Sequence, residues 1–215
     1  MLAYWPEFAL FATAHIMSLI SPGPDFLMVV QSSLRYRRKT ALWVALGISL
    51  GEMIHVSYSL LGIGWLITKS LFLFTILKYL GGAYLLYLGI GSLRAKRETP
   101  NTAGMVAQLS ASELTSIQAL RRGFFTNALN AKAAFFTISF FTVLVSPTTP
   151  FLVQLFYGAF IQLSTFLWFA LVATFLTSPS IQGRFLGMKH WIERVCGAVL
   201  VALGLKLAAT SDFGA

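Results

Sequence analysis

Six long apolar runs, at residues 4–34, 40–67, 71–93, 121–146, 151–176 and 190–209, constrain this chain more than any other feature. Each reaches the ~20 residues that a helix needs to cross the hydrocarbon core of a bilayer. In lipid a run must satisfy its own backbone donors and acceptors, so each is expected to be helical. Of the 215 residues, 57% are hydrophobic and 11% charged, against about 25% charged in a soluble domain. So apolar a chain cannot cover a surface that faces water. It is read as an all-α integral membrane protein with six transmembrane helices.

The basic residues set the orientation. Arg35, Arg37, Arg38 and Lys39 follow the first run, and Arg94, Lys96, Arg97, Arg121 and Arg122 separate the third from the fourth. Arg184 and Lys189 follow the fifth, with Arg194 just inside the sixth, whereas the opposite side has Lys69, Lys78 and Lys206. Cytoplasmic loops carry the excess of Lys and Arg, which puts both termini outside. The net charge of +9 is therefore topological, and no nucleic-acid partner is expected. Trp5, Trp65 and Trp191 fall near run ends, where aromatic belts sit.

The first run is too long for one straight span, and "SPGPDF" at 21–26 interrupts it. Pro22 and Pro24 remove backbone donors and Gly23 adds freedom, so a helix breaks here. Broken backbone at membrane depth is tolerated where protein buries it or where it lines a cavity. Asp25 then lies at the positive end of the next half-helix. Either the site is a kink capped by Asp25, or the break lines a substrate or ion site.

The chain also repeats. "GAYLLYLG" at 82–89 aligns with "GAVLVALG" at 197–204, an offset of 115, and Gly47 aligns with Gly158. Two halves of three helices each must face opposite ways, which is an inverted-topology repeat. The expected organisation is a first repeat over 1–93, a polar linker over 94–120 and a second repeat over 121–215. Within the linker, Ser110 and Glu113 have capping-box spacing ahead of a short interfacial helix.

In the second half, "TNALNAKAAFF" at 126–136 occupies the place of the break and sets Lys132 opposite Asp25, with Asn127 and Asn130 as amide donors and acceptors. A zwitterionic amino acid would suit such a pair, its ammonium at Asp25 and its carboxylate at Lys132. The alternatives are an Asp25–Lys132 ion pair that holds the halves together, or Lys132 snorkelling to the interface. "GISLGEMIHVSY" places Gly47 and Gly51 in a GxxxG motif for close helix packing. It also puts Glu52, His55 and Tyr58 on one face, where proton handling, metal binding or a plain hydrogen-bonded pair are all open. His15 precedes the break by one or two turns. The phenylalanines of the fourth run read as core and lipid contacts, and Cys196, the single cysteine, as packing. Glycine-rich faces on segments two and three allow a homodimer. The N-terminus lacks the features of a removable signal peptide. No Walker loop, GxSxG or HExxH motif occurs, and no enzymatic activity, metal or cofactor is expected.

Taken in order, "SPGPDF", "GISLGE", "YLGGAYLLYLGIGSLR", "GFFTNALNAKAAFF" and "GAVLVALGLKLA" resemble the LysE/RhtB family of bacterial amino-acid exporters over nearly the whole chain. SPGP followed by Asp-Phe is most similar to the threonine-efflux branch. The resemblance implies a six-helix inner-membrane exporter of amino acids or their derivatives driven by the proton gradient, and the leading expectation is a small neutral substrate such as threonine or homoserine. Carried over by position, Pro22, Gly23, Pro24 and Asp25 match the first signature and Asn127, Asn130 and Lys132 the second. Glu52 falls where many members carry an acid. The family usually has Asn-Pro-Lys in the second signature; Ala131 stands in place of that proline, so a weaker distortion of segment four is expected. Two other readings remain beside export of amino acids. One is a divalent-metal exporter with Asp25, Glu52 and His55 as ligands; the other is a non-transporting subunit or lipid-modifying enzyme.

Overall fold

Every regular element among the described residues is helical. The structure is a computed structural model and describes residues 4–21, 23–36, 38–94, 114–175 and 179–209. The expected Ser110–Glu113 capping box lies outside them, as does Pro22.

The first apolar run forms two helices, α1 (Trp5–Ile20) and α2 (Pro24–Arg35). Pro6 sits in the first turn of α1, where a missing N–H costs nothing. Ser21 is extended, and Pro24 opens α2 behind the N-cap Gly23. Gly23 has φ −158°, which any residue adopts, so conformational freedom is not why glycine stands there. The next helices are α3 (Arg38–Lys69) and α4 (Leu71–Leu93), the latter capped by Ser70, whose hydroxyl accepts from the Leu73 N–H at 3.2 Å.

The fourth run is also broken. Helix α5 (Ser116–Ala128) starts at a capping box: Thr115 Oγ1 accepts from the Gln118 N–H at 3.3 Å and Gln118 Oε1 from the Thr115 N–H at 3.0 Å. Helix α6 (Ala131–Ser139) follows and runs into a π-helical turn, Phe140–Leu144. The two are bent by 56° at a short break, sharper than the distortion expected without a proline. The reason is a side-chain cap: Asn130 Oδ1 accepts from the Lys132 N–H at 3.0 Å and starts a new helix without needing a residue that lacks a donor. Helices α7 (Phe151–Phe175) and α8 (Pro179–Ala209) complete the order.

Among the described residues three stretches are fit by length and composition to cross a membrane, Arg38–Gly62, Thr75–Leu93 and Phe151–Phe175, and the bent pair α5–α6 is a fourth if it forms one span. Helices α1 and α2, of 16 and 12 residues, are each too short to span alone.

Glycines set the close approaches. A Cβ on Gly47 would overlap the Leu120 carbonyl, one on Gly51 would stand 2.7 Å from the Phe124 oxygen, and one on Gly123 would overlap the Val44 carbonyl. The GxxxG motif thus joins α3 to α5. Helices α4 and α8 meet the same way: a Cβ on Gly197 would lie 2.6 Å from the Gly89 oxygen, and one on Gly204 3.1 Å from the Gly82 oxygen. The glycine faces that allowed a homodimer are largely used within the chain.

Two apolar clusters flank a polar layer. On α3, Ala41, Val44, Ala45 and Ile48 belong to one cluster, Val56 and Leu60 to the other, and Glu52 falls between. On α7, Val153, Tyr157 and Ile161 belong to one, Phe169, Val172 and Ala173 to the other, and the buried Thr165 falls between. The two helix breaks meet in this layer.

Candidate functional site

The polar layer encloses a cavity of about 50 Å3 whose lining includes Gly23, Asp25, Glu52, Asn127, Asn130 and Lys132. Both half-helix starts lie at it, Gly23 as N-cap of α2 and Asn130 as N-cap of α6. The dipoles of the two half-helices bring partial positive charge to the cavity.

Asp25, in the first turn of α2, is 9% exposed. Its Oδ2 accepts from Asn127 Nδ2 at 3.0 Å and from Asn130 Nδ2 at 2.9 Å. Asn127 Nδ2 also donates to Glu52 Oε2 at 3.1 Å, so one amide bridges two buried carboxylates. Glu52 Oε1 accepts from Thr137 Oγ1 at 2.6 Å. Two acceptors, Asp25 Oδ1 and Asn127 Oδ1, are buried with no hydrogen-bond partner among the described residues. A buried acceptor left unmatched costs about 1–3 kcal/mol, so this edge of the layer favours an incoming donor.

Lys132 lies in the first turn of α6. Its Nζ donates to the Ser21 carbonyl at 2.9 Å and to Ser21 Oγ at 3.1 Å, tying the start of α6 to the first break. Gly23 makes room for it: a Cβ there would stand 3.2 Å from Nζ and 3.3 Å from Cδ. Glycine serves a close approach here. Pro24 fixes the start of α2 beside the cavity, and Pro22 lies outside the described residues.

His55 is buried and fully engaged. The Asn127 carbonyl can only accept, so His55 Nε2, 2.9 Å away, carries a proton. Its Nδ1 pairs with the Tyr58 hydroxyl at 2.9 Å, along the face that the sequence predicts. His15, set apart in the sequence only by its place before the break, does line the cavity. Its Nε2 lies 3.0 Å from Ser164 Oγ, which itself donates to the Phe160 carbonyl, so His15 is the donor. Phe136 and Phe140 are buried core residues and also line the cavity. Cys196 is packed at 1% exposure. Among the described residues no group of three or more His, Cys, Asp or Glu side chains is placed to hold a metal ion, so the metal-export reading has no ligand cluster to rest on there.

Ser21 and Thr137 escaped the sequence reading. Ser21 opens the SPGP stretch that marks the first break, and Thr137 is a small hydroxyl in an apolar run that only its spacing from Lys132 could have flagged. Thr137→Val should cost about 1–3 kcal/mol of stability by leaving Glu52 Oε1 without its donor, while Thr137→Ser stays near wild type. Thermal unfolding of the two variants in detergent, side by side, checks this.

Comparison with known proteins identifies the family. The family model described as LysE type translocator matches residues 16–211. The threonine efflux protein of Salmonella typhi is 31% identical over 196 residues, covering 91% of this chain and 94% of its own length. That of Escherichia coli K12 is 31% identical over 198 residues with the same coverage. An uncharacterized membrane protein of E. coli, YahN, is 29% identical over 192 residues, covering 89% of this chain and 84% of its own. No solved structure matches. The matched span takes in both helix breaks and Asp25, Glu52, Asn127, Asn130 and Lys132, and the chain belongs to the LysE type translocator family, a membrane transporter and not an enzyme.

Proposed function

We propose that this protein exports small neutral amino acids, threonine- or homoserine-like, across the bacterial inner membrane in exchange for protons. The observation that carries this reading is one cavity holding opposite chemistries. Asp25 and Glu52 supply carboxylates, and Lys132 and two helix N-termini supply positive charge. A zwitterion needs both, its ammonium at the carboxylates and its carboxylate at the positive ends. The relatives named as threonine efflux proteins support the substrate class.

In this reading the chain has six spans, with α1–α2 and α5–α6 each a broken one, and the repeats over 1–93 and 121–215 are related by inverted topology about the linker 94–120. The α4–α8 contact supports it. At an offset of 115, Gly89 maps onto Gly204 and Gly82 onto Gly197, and the Gly89–Gly197 approach maps onto Gly204–Gly82. Such a self-complementary pair is what a two-fold axis between the halves requires. The distribution of Lys and Arg supports periplasmic termini.

A cavity of about 50 Å3 has room for a few water molecules and not for an amino acid, so this conformation is closed and transport requires the half-helices to part. A proton arriving from outside neutralises Asp25 or Glu52, loosens the hold on the ammonium and favours the return of the empty carrier. Each pH unit supplies about 1.4 kcal/mol per proton, and each 100 mV about 2.3 kcal/mol per charge.

Counterflow of a panel of labelled amino acids in proteoliposomes tests the reading. Exchange of threonine or homoserine is expected, and a protein that exchanges none of the panel refutes it. Coupling has its own test: Glu52→Gln should keep counterflow within a few-fold of wild type and lose accumulation driven by a pH gradient. Unchanged gradient-driven accumulation would remove Glu52 from the coupling path.

A further inference from the structure

A second cavity, of about 510 Å3, lies against the first. Ser21, Lys132 and Phe136 line both. Lys132 Nζ is held by the Ser21 carbonyl and hydroxyl and sits 5.7 Å from the centre of the Phe136 ring. These three residues form a septum between a small inner chamber and a wider outer one.

The outer chamber lies between α4 and α8, and besides Lys132 its charged lining residues are Arg94 and Glu193. Arg94 ends α4, its N–H donating to the Ile90 and Gly91 carbonyls at 3.2 Å. That is the end the basic residues assign to the cytoplasm, where an exporter takes up its cargo. The volume falls in the range of about 300–1,000 Å3 common to small-ligand sites, unlike that of the inner chamber.

We propose that the outer chamber is a loading vestibule for the zwitterionic amino acid. Arg94 takes the carboxylate and Glu193 the ammonium, and the Lys132–Ser21 septum opens to pass the molecule to Asp25 and Glu52. The inference rests on the export reading and adds a second binding site to it. Arginine suits the role because its fork matches a carboxylate and it stays charged.

Threonine uptake into inside-out vesicles reads the cytoplasmic face. Arg94→Gln and Glu193→Gln should each raise KM about 10-fold or more, the share of a charge-assisted hydrogen bond, with kcat little changed. Unchanged KM in both variants, beside an active wild type, overturns the vestibule and leaves the export reading standing; an inactive wild type overturns both. Labelling gives a readout that does not depend on those two variants. A Cβ on Gly91, which lines the vestibule, meets nothing within 4 Å. Gly91→Cys should therefore react with a membrane-impermeant maleimide in the same vesicles, against a low background from the buried Cys196, and threonine should slow the reaction. A thiol that does not react, or one indifferent to threonine, counts against the vestibule.

Discussion

Asp25→Asn is expected to reduce transport at least about 30-fold while the protein still inserts and stays folded. The two effects separate because the substitution keeps shape and removes charge. An asparagine oxygen can go on accepting from Asn127 Nδ2 and Asn130 Nδ2, the contacts that hold Asp25 Oδ2 at 3.0 and 2.9 Å. The other edge, where Asp25 Oδ1 has no partner among the described residues, turns from an acceptor into a donor and repels an ammonium. Losing one member of a desolvated charge pair costs about 2–5 kcal/mol, or roughly one and a half to three and a half decades of rate. Initial rates of threonine counterflow, normalised to the protein recovered in the membrane, measure it. A variant that transports at the wild-type rate would show that Asp25 only caps α2.

The second large effect is on assembly. Gly47→Leu should leave little folded protein in the membrane, whereas Gly62→Leu on the same helix should behave as wild type. A Cβ on Gly47 overlaps the Leu120 carbonyl, and backbone cannot step aside as a flexible side chain can; a Cβ on Gly62 meets nothing within 4 Å. Overpacking costs about 1–3 kcal/mol, and a contact against backbone belongs at the upper end. Helix α5 would be pushed from α3, taking Asn127 from Glu52 and breaking the bridge between the two carboxylates. Size-exclusion profiles and thermal midpoints of the pair, compared in one detergent, decide it; equal behaviour would mean that α3 and α5 do not meet through this glycine.

Much of the site is legible in the chain because its chemistry is conspicuous in an apolar setting. Prolines, asparagines, a lysine and two acids are costly at membrane depth, so Asp25, Glu52, Asn127, Asn130 and Lys132 stand out by type alone, and all five line one cavity. Ser21 and Thr137 do not stand out, since small hydroxyls are ordinary in such helices. The break at Asn130 was harder to read than that at Pro24. A missing proline is visible in a sequence, while a side chain that folds back on its own backbone is visible only once the turn is made.

The helical, membrane-embedded class, the place where the first run breaks and the stock of polar groups available to a site are all written in the chain. Those follow from local rules: apolar runs must satisfy their own backbone, and proline lacks a donor. Which groups meet depends on the packing of the helices. Asp25 is held by asparagines 102 and 105 residues away, Glu52 by a threonine 85 away, and Lys132 reaches a serine 111 away. Such pairings depend on how closely the helices approach, and the glycines that meet carbonyls on α5 and α8 set that distance. Residue type says that a buried acid needs a partner; the packing of helices chooses it.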